Sequence, residues 1–199
     1  MRFYKLISTI LHPIVIPTIG VMLYFLLIPN RFLHDEKLTI LSLVFVVSYI
    51  IPLLILIILK KLKFIKTYQT ESIRERKLPI ALMIMVFYLL GNWLNSIINF
   101  IDLALLFYAT SLGLFLIYIL FSFKIKASIH LLSFGISTGF FLVLSSVYEQ
   151  SYTLVIIIII LLAGLLASAR LNLRAHTSKE VYIGFFIGVF VIFGLHYFL

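Results

Sequence analysis

A polar island separates two long apolar runs in this chain: Ser168-Ala169-Arg170-Leu171-Asn172-Leu173-Arg174-Ala175-His176-Thr177-Ser178-Lys179-Glu180. Within it Arg170, His176 and Glu180 stand at Arg-x5-His-x3-Glu spacing. A guanidinium grips phosphate oxygens in pairs, and a fixed cation, an imidazole and a carboxylate at this spacing are what attack on a phosphate by a histidine would need. A second imidazole, His130, opens another apolar run just after Lys126 and Ser128, and the pair Arg74 and Arg76 precedes Pro79. The chemistry these types can do together is phosphoryl transfer at the edge of a bilayer.

The elements that must position them are membrane helices. Of 199 residues, 63% are hydrophobic and 12% charged, with a mean hydropathy of +1.21, which excludes an ordinary soluble domain. The chain has no cysteine, so thiolate catalysis, disulfides and cysteine-ligated metals are excluded together. The charged start (Arg2, Lys5) and following apolar run resemble a signal peptide, but no small-x-small cleavage site follows, and His12, Pro13 and Pro17 interrupt the run. It reads as a retained first span.

A helix needs about 20 apolar residues to cross the hydrocarbon core. The apolar runs place spans at 9–29, 38–59, 79–99, 103–123, 129–147, 152–169 and 181–199, seven in all with six as the alternative. The fold class is therefore all-α, a polytopic membrane helical bundle of six to seven transmembrane helices in a single domain over residues 1–199. With seven spans, the N-terminal segment and the connections 60–78, 124–128 and 170–180 share one side, and they carry nearly all of the Lys and Arg residues. Arg31 and Lys37 fall opposite. Short basic loops stay in the cytoplasm, which places the N-terminus and the basic face inside and the C-terminus outside.

The same parity brings the chemistry together. His130 opens the fifth span and His176 precedes the seventh, so the chain returns to one side between them, and the connection carrying Arg74 and Arg76 reaches that side too. Pro79 is read as an early helical residue, where its missing N–H costs little, with Arg74 and Arg76 just outside the helix.

These residues resemble the type-2 phosphatidic acid phosphatase superfamily, which includes the vanadium haloperoxidases, and more closely a bacterial integral-membrane branch of it. The family's third motif, Ser-Arg-x5-His-x3-Asp, is matched in spacing by Arg170, His176 and Glu180, with Glu for Asp. Its second motif, Pro-Ser-Gly-His, is met in part by Ala127-Ser128-Ile129-His130. Its first, Lys-x6-Arg-Pro, survives only as Arg74-x-Arg76-x-x-Pro79. The resemblance covers approximately residues 74–188 and implies a metal-independent lipid-phosphate phosphatase without cofactor. It makes His176 the nucleophile of a phosphohistidine intermediate, Glu180 its orienter and His130 the general acid. Arg170, Arg74 or Arg76, Lys126 and Ser128 would bind the phosphoryl oxygens. The implied partners are a membrane lipid phosphate and bilayer lipids. The net charge of +9 is accounted for by topology and a phosphate site, so nucleic acid is not expected.

Other features have plainer readings. His12, His34 and His196 read as interfacial, and Arg174, Lys179 and Lys60 to Lys66 as topology determinants or headgroup contacts. Asn92, Asn95 and Asn99 read as bonds to a neighbouring helix. Gly184-x-x-x-Gly188, with Ser133, Gly135, Ser137 and Gly139, reads as a close helix contact. Two alternatives stand beside hydrolysis: transfer of the phosphoryl group to an alcohol, and a degenerate relative that binds or moves lipids. A transporter is disfavoured because the charges sit at span ends rather than at mid-membrane.

Overall fold

The computed structural model describes residues 1–28, 32–68 and 72–198; Arg31, expected opposite the basic face, lies outside them. Helices α1 (Arg2–Ile10), α2 (Ile16–Leu27), α3 (His34–Phe45), α4 (Ile51–Lys61), α5 (Ile73–Asn95), α6 (Ile101–Leu120), α7 (Ile129–Val147), α8 (Thr153–Asn172) and α9 (Ser178–Phe198) follow in order, with no strand among the described residues. Six stretches are long and apolar enough to cross a membrane: 34–61, 73–95, 101–123, 129–147, 153–172 and 178–198. The protein is a polytopic helical membrane bundle.

The expected first span at 9–29 is not one helix. Pro13 forces the residue before it out of helical conformation, so α1 ends at Ile10 and the chain turns through His12 before α2 begins. At 1.5 Å per residue, α2 is only about 18 Å long. Even so it runs from the His130 end of the bundle to the opposite end, where the hydroxyls of Tyr24 and Tyr148 donate to Asp102 Oδ2 at 3.0 and 2.6 Å. Val21 and Tyr24 are fully buried along it. A short helix packed on α3 and α7 thus carries the chain between the two ends of the bundle.

The third span also begins earlier than the apolar run. Ser72 Oγ accepts from Glu75 N–H, so the helix starts at Ile73 and puts Arg74 and Arg76 inside its first two turns rather than outside it. Pro79 sits seven positions into α5. Between α3 and α4 the backbone widens into a π turn at Val46–Ile50. Pro52 has no N–H for the Ser48 carbonyl and its ring crowds that turn, which the wider winding relieves. Ser48 Oγ lies 3.1 Å from Thr18 Oγ1 on α2. Tyr108 donates to Asn92 Oδ1 at 3.4 Å, so Asn92 does bond a neighbouring helix.

The tightest pairing is α7 with α9. A Cβ at Gly184 would collide with the Ser128 carbonyl, one at Gly188 with the Leu132 carbonyl, and one at Gly135 with the Phe185 carbonyl. The two backbones thus touch across glycines of both helices, as small residues permit in lipid.

At the site end, α4, α6 and α8 are each followed by a basic residue in left-handed conformation: Lys63 (φ 62°), Lys124 (φ 59°) and Arg174 (φ 53°). The next N–H in each case bonds five residues back, Phe64 to Leu59, Ile125 to Leu120 and Ala175 to Arg170, which is the Schellman ending glycine normally provides. The charge complements the helix C-terminus at some steric cost. Lys124→Gly and Arg174→Gly are each expected to raise stability by about 0.5–1 kcal/mol, measured as a higher melting temperature in detergent.

Candidate functional site

Two connections and the last turn of one helix converge at this face. The five residues 173–177 between α8 and α9 carry His176, residues 124–128 between α6 and α7 carry Lys126 and Ser128, and the last turn of α8 carries Arg170. His130 lies in the first turn of α7. The two connections are joined through main chain, because Ser128 N–H donates to the Glu180 carbonyl at 2.9 Å.

His176 is 7% exposed, and its Nδ1 lies 2.9 Å from the Lys126 carbonyl oxygen. A carbonyl can only accept, so Nδ1 carries the proton and Nε2 keeps its lone pair. Glu180 Oε2 is further away, 3.5 Å from Nδ1. That carboxylate is held by the main chain: Oε2 accepts from Thr177 N–H at 2.9 Å and Oε1 from Lys126 N–H at 3.3 Å, while Glu180 N–H reaches Thr177 Oγ1 at 3.4 Å. Thr177-x-x-Glu180 is thus a capping box for α9. Glu180 fixes the two connections together, and the nearer partner of the imidazole is the Lys126 carbonyl.

The cationic side of the site is Arg170, whose Nη1 donates to Ser8 Oγ on α1 at 2.9 Å. Arg76 on α5 lies within Coulombic reach of both Arg170 and Glu180. Arg74, two residues away, is exposed, so of the two arginines read from the sequence Arg76 is the one brought into the cluster. Three buried polar atoms find no partner among the described residues: Ser128 Oγ, His130 Nε2 and Arg170 Nε. Buried polar groups are rarely left so. One hydroxyl, one imidazole nitrogen and one guanidinium N–H together suit a ligand with several oxygens.

His12 was missed as a site residue. Its ring stands 5.0 Å from that of His130, edge to face at 79°, and its Nδ1 accepts from Ile14 N–H at 3.3 Å. The available signal was His-Pro at a helix break, which places the histidine on the inside of an elbow.

Compared with family models, curated proteins and solved structures, the chain matches none. Its function is accordingly inferred from geometry and chemistry.

Burial pushes the His176 pKa well below the ordinary histidine value, and the neighbouring Arg170, Arg76 and Lys126 push the same way against the opposing pull of Glu180. The imidazole is neutral at neutral pH, the form in which Nε2 can attack. By linkage, the unfolded chain binds this proton from about pH 6.5 downward and the folded one only at lower pH. The stability tied to His176 is full above about pH 6.5 and falls with pH below it until the folded pKa is reached. His176→Gln is expected to flatten that part of a melting-temperature profile against pH.

Proposed function

We propose that this protein is a membrane lipid-phosphate phosphatase of the type-2 phosphatidic acid phosphatase kind, working through a phosphohistidine on His176. The observation that carries this reading is the buried, neutral His176 imidazole, fixed through Nδ1 and set beside Arg170 and Arg76. In this mechanism Nε2 attacks phosphorus, Arg170, Arg76 and Ser128 bind the oxygens in flight, and His130 delivers a proton to the departing alkoxide. Water then attacks the phosphohistidine and gives its proton back to His130, so that inorganic phosphate leaves and Nε2 is free again. Lys126 holds Nδ1 through its carbonyl and sets its charge near His176, and Glu180 keeps the Lys126 and His176 segments in register.

A lipid substrate is supported by an open apolar groove of about 470 Å³ lined by Leu116 of α6 and by Ile183, Phe186, Ile187, Phe190 and Val191 of α9. It starts one helical turn beyond Glu180, at a depth suited to an acyl or prenyl chain whose phosphate stays at the cationic end.

Purified protein is to be assayed for phosphate release from phosphatidate, phosphatidylglycerophosphate and a prenyl diphosphate without added metal. Release from at least one is expected. No release from any of them, with or without an added alcohol acceptor, would sink both hydrolysis and transfer, leaving lipid binding. The charge asymmetry supports a cytoplasmic placement of this face, and the resemblance supports a bacterial inner membrane. Thr177→Cys gives the chain its only thiol, and an impermeant maleimide is expected to leave it unlabelled in intact cells and to label it after lysis.

A further inference from the structure

The N-terminal segment makes two contacts with the site that its sequence position does not announce. Ser8, buried on α1, accepts the Arg170 Nη1 hydrogen bond at 2.9 Å. One turn later Pro13 breaks the helix, and the resulting elbow lays the His12 ring on that of His130. Ile14 N–H occupies His12 Nδ1, and an N–H can only donate, so in the neutral ring the proton sits on Nε2. Burial and the nearby Arg170 lower the His12 pKa and keep the ring neutral at neutral pH. The tautomer and the tilt of His12 are therefore both fixed before any ligand arrives.

His130 needs such a neighbour. Its Nε2 is buried without a partner among the described residues, and the charged or titratable groups around it are Arg170, His12, His176 and Arg76. Among these groups, the one whose ring is set against the His130 ring is His12, at 5.0 Å.

We infer that Ser8 and His12 are positioning residues of this site, Ser8 holding the Arg170 fork and His12 holding the His130 ring at the angle from which it meets a leaving oxygen. This rests on the phosphatase reading for its kinetic consequence, though not for its geometry. α1, which packs on α8 and exposes Phe3, Leu6 and Ile10, becomes a working part of the site.

The test compares wild type with His12→Phe, His12→Asn and Ser8→Ala in detergent micelles, using the lipid phosphate on which wild type is most active. Phenylalanine keeps a ring against His130 but removes both nitrogens, whereas Asn Oδ1 can still accept from Ile14 N–H. His12→Phe is expected to lower kcat by about 10-fold to 10²-fold, the scale of a misplaced reacting group, with KM within about twofold. His12→Asn should recover part of the loss. Ser8→Ala should raise KM severalfold by loosening the phosphate clamp. A packing role alone predicts that Phe substitutes well and Asn poorly, and that result overturns the inference, as does unchanged kinetics in His12→Phe and Ser8→Ala together. The second readout is the ¹⁵N spectrum of the histidine rings in wild type and His12→Phe. The His130 ring nitrogens are expected to move, and unmoved resonances overturn the inference. Should wild type release no phosphate from any lipid, the phosphatase reading fails and the spectrum alone decides the His12 contact.

Discussion

Phosphate release by His176→Ala is expected to fall on the order of 10⁴-fold or more, since removing a covalent nucleophile from a working group of residues typically costs that much. The expectation rests on one nitrogen. With Nδ1 held at 2.9 Å by the Lys126 carbonyl, Nε2 is the imidazole atom left to react, and alanine has no replacement for it. His130→Ala is expected to lose less, about 10²–10⁴-fold, because a general acid speeds the departure of the alkoxide without making the bond to phosphorus. The two variants differ qualitatively too. When a radiolabelled lipid phosphate is quenched in alkali, His130→Ala should still carry label on the protein, and His176→Ala should carry none. Release unchanged in His176→Ala, or label persisting on it, would remove His176 from the reaction.

The second large effect is on folding. Gly184→Ala places a methyl group against the Ser128 carbonyl and its neighbouring main-chain atoms, and Gly188→Ala places one against the Leu132 carbonyl and, at 2.6 Å, the Ile136 nitrogen. These are backbone atoms, which cannot swing aside as a side chain can. The cost is therefore expected at or above the usual 1–3 kcal/mol of overpacking, read as a lower melting temperature in detergent. Gly164 on α8 is the control, since a Cβ there meets nothing within 4 Å. Gly164→Ala should gain about 0.5–1 kcal/mol from the lower conformational entropy of the unfolded chain and the better helix propensity of alanine. A Gly184→Ala protein that melts with wild type would show that α7 and α9 do not depend on backbone contact. Activity should fall more at Gly184 than at Gly188, because Gly184 faces Ser128.

Membrane helices were legible in the sequence wherever the apolar run was uninterrupted: the fifth span, 129–147, was read to the residue. Helix ends were less so, because hydropathy marks where a chain enters lipid and not where winding starts. The Ser72-x-x-Glu75 and Thr177-x-x-Glu180 boxes begin α5 and hold the start of α9 in polar sequence, and they carry Arg76 and Glu180 into helices that hydropathy begins later. His12 was read as interfacial because a lone histidine beside two prolines has no periodic neighbour. Its partner is 118 residues away in sequence, and only the elbow at Pro13 brings the rings together. The Lys126 carbonyl was invisible for a different reason, as main-chain partners leave no trace in residue type. The glycines of α7 and α9 were read as a close contact, which they make.

The bond from Ser128 N–H to the Glu180 carbonyl separates two kinds of robustness. Made entirely by main chain, it survives replacements at 127, 128 or 129 that keep an N–H and, at the fully buried Ala127 and Ser128, the side-chain volume. Side chains of similar size can vary there while the frame that sets His130 beside His176 stays in register. Ser128→Ala and Ser128→Gly, which keep the N–H and fit the fully buried position, should accordingly lower turnover while leaving the melting temperature nearly unchanged. Such a segment is a place where reactivity can drift or be retuned while the protein keeps its shape.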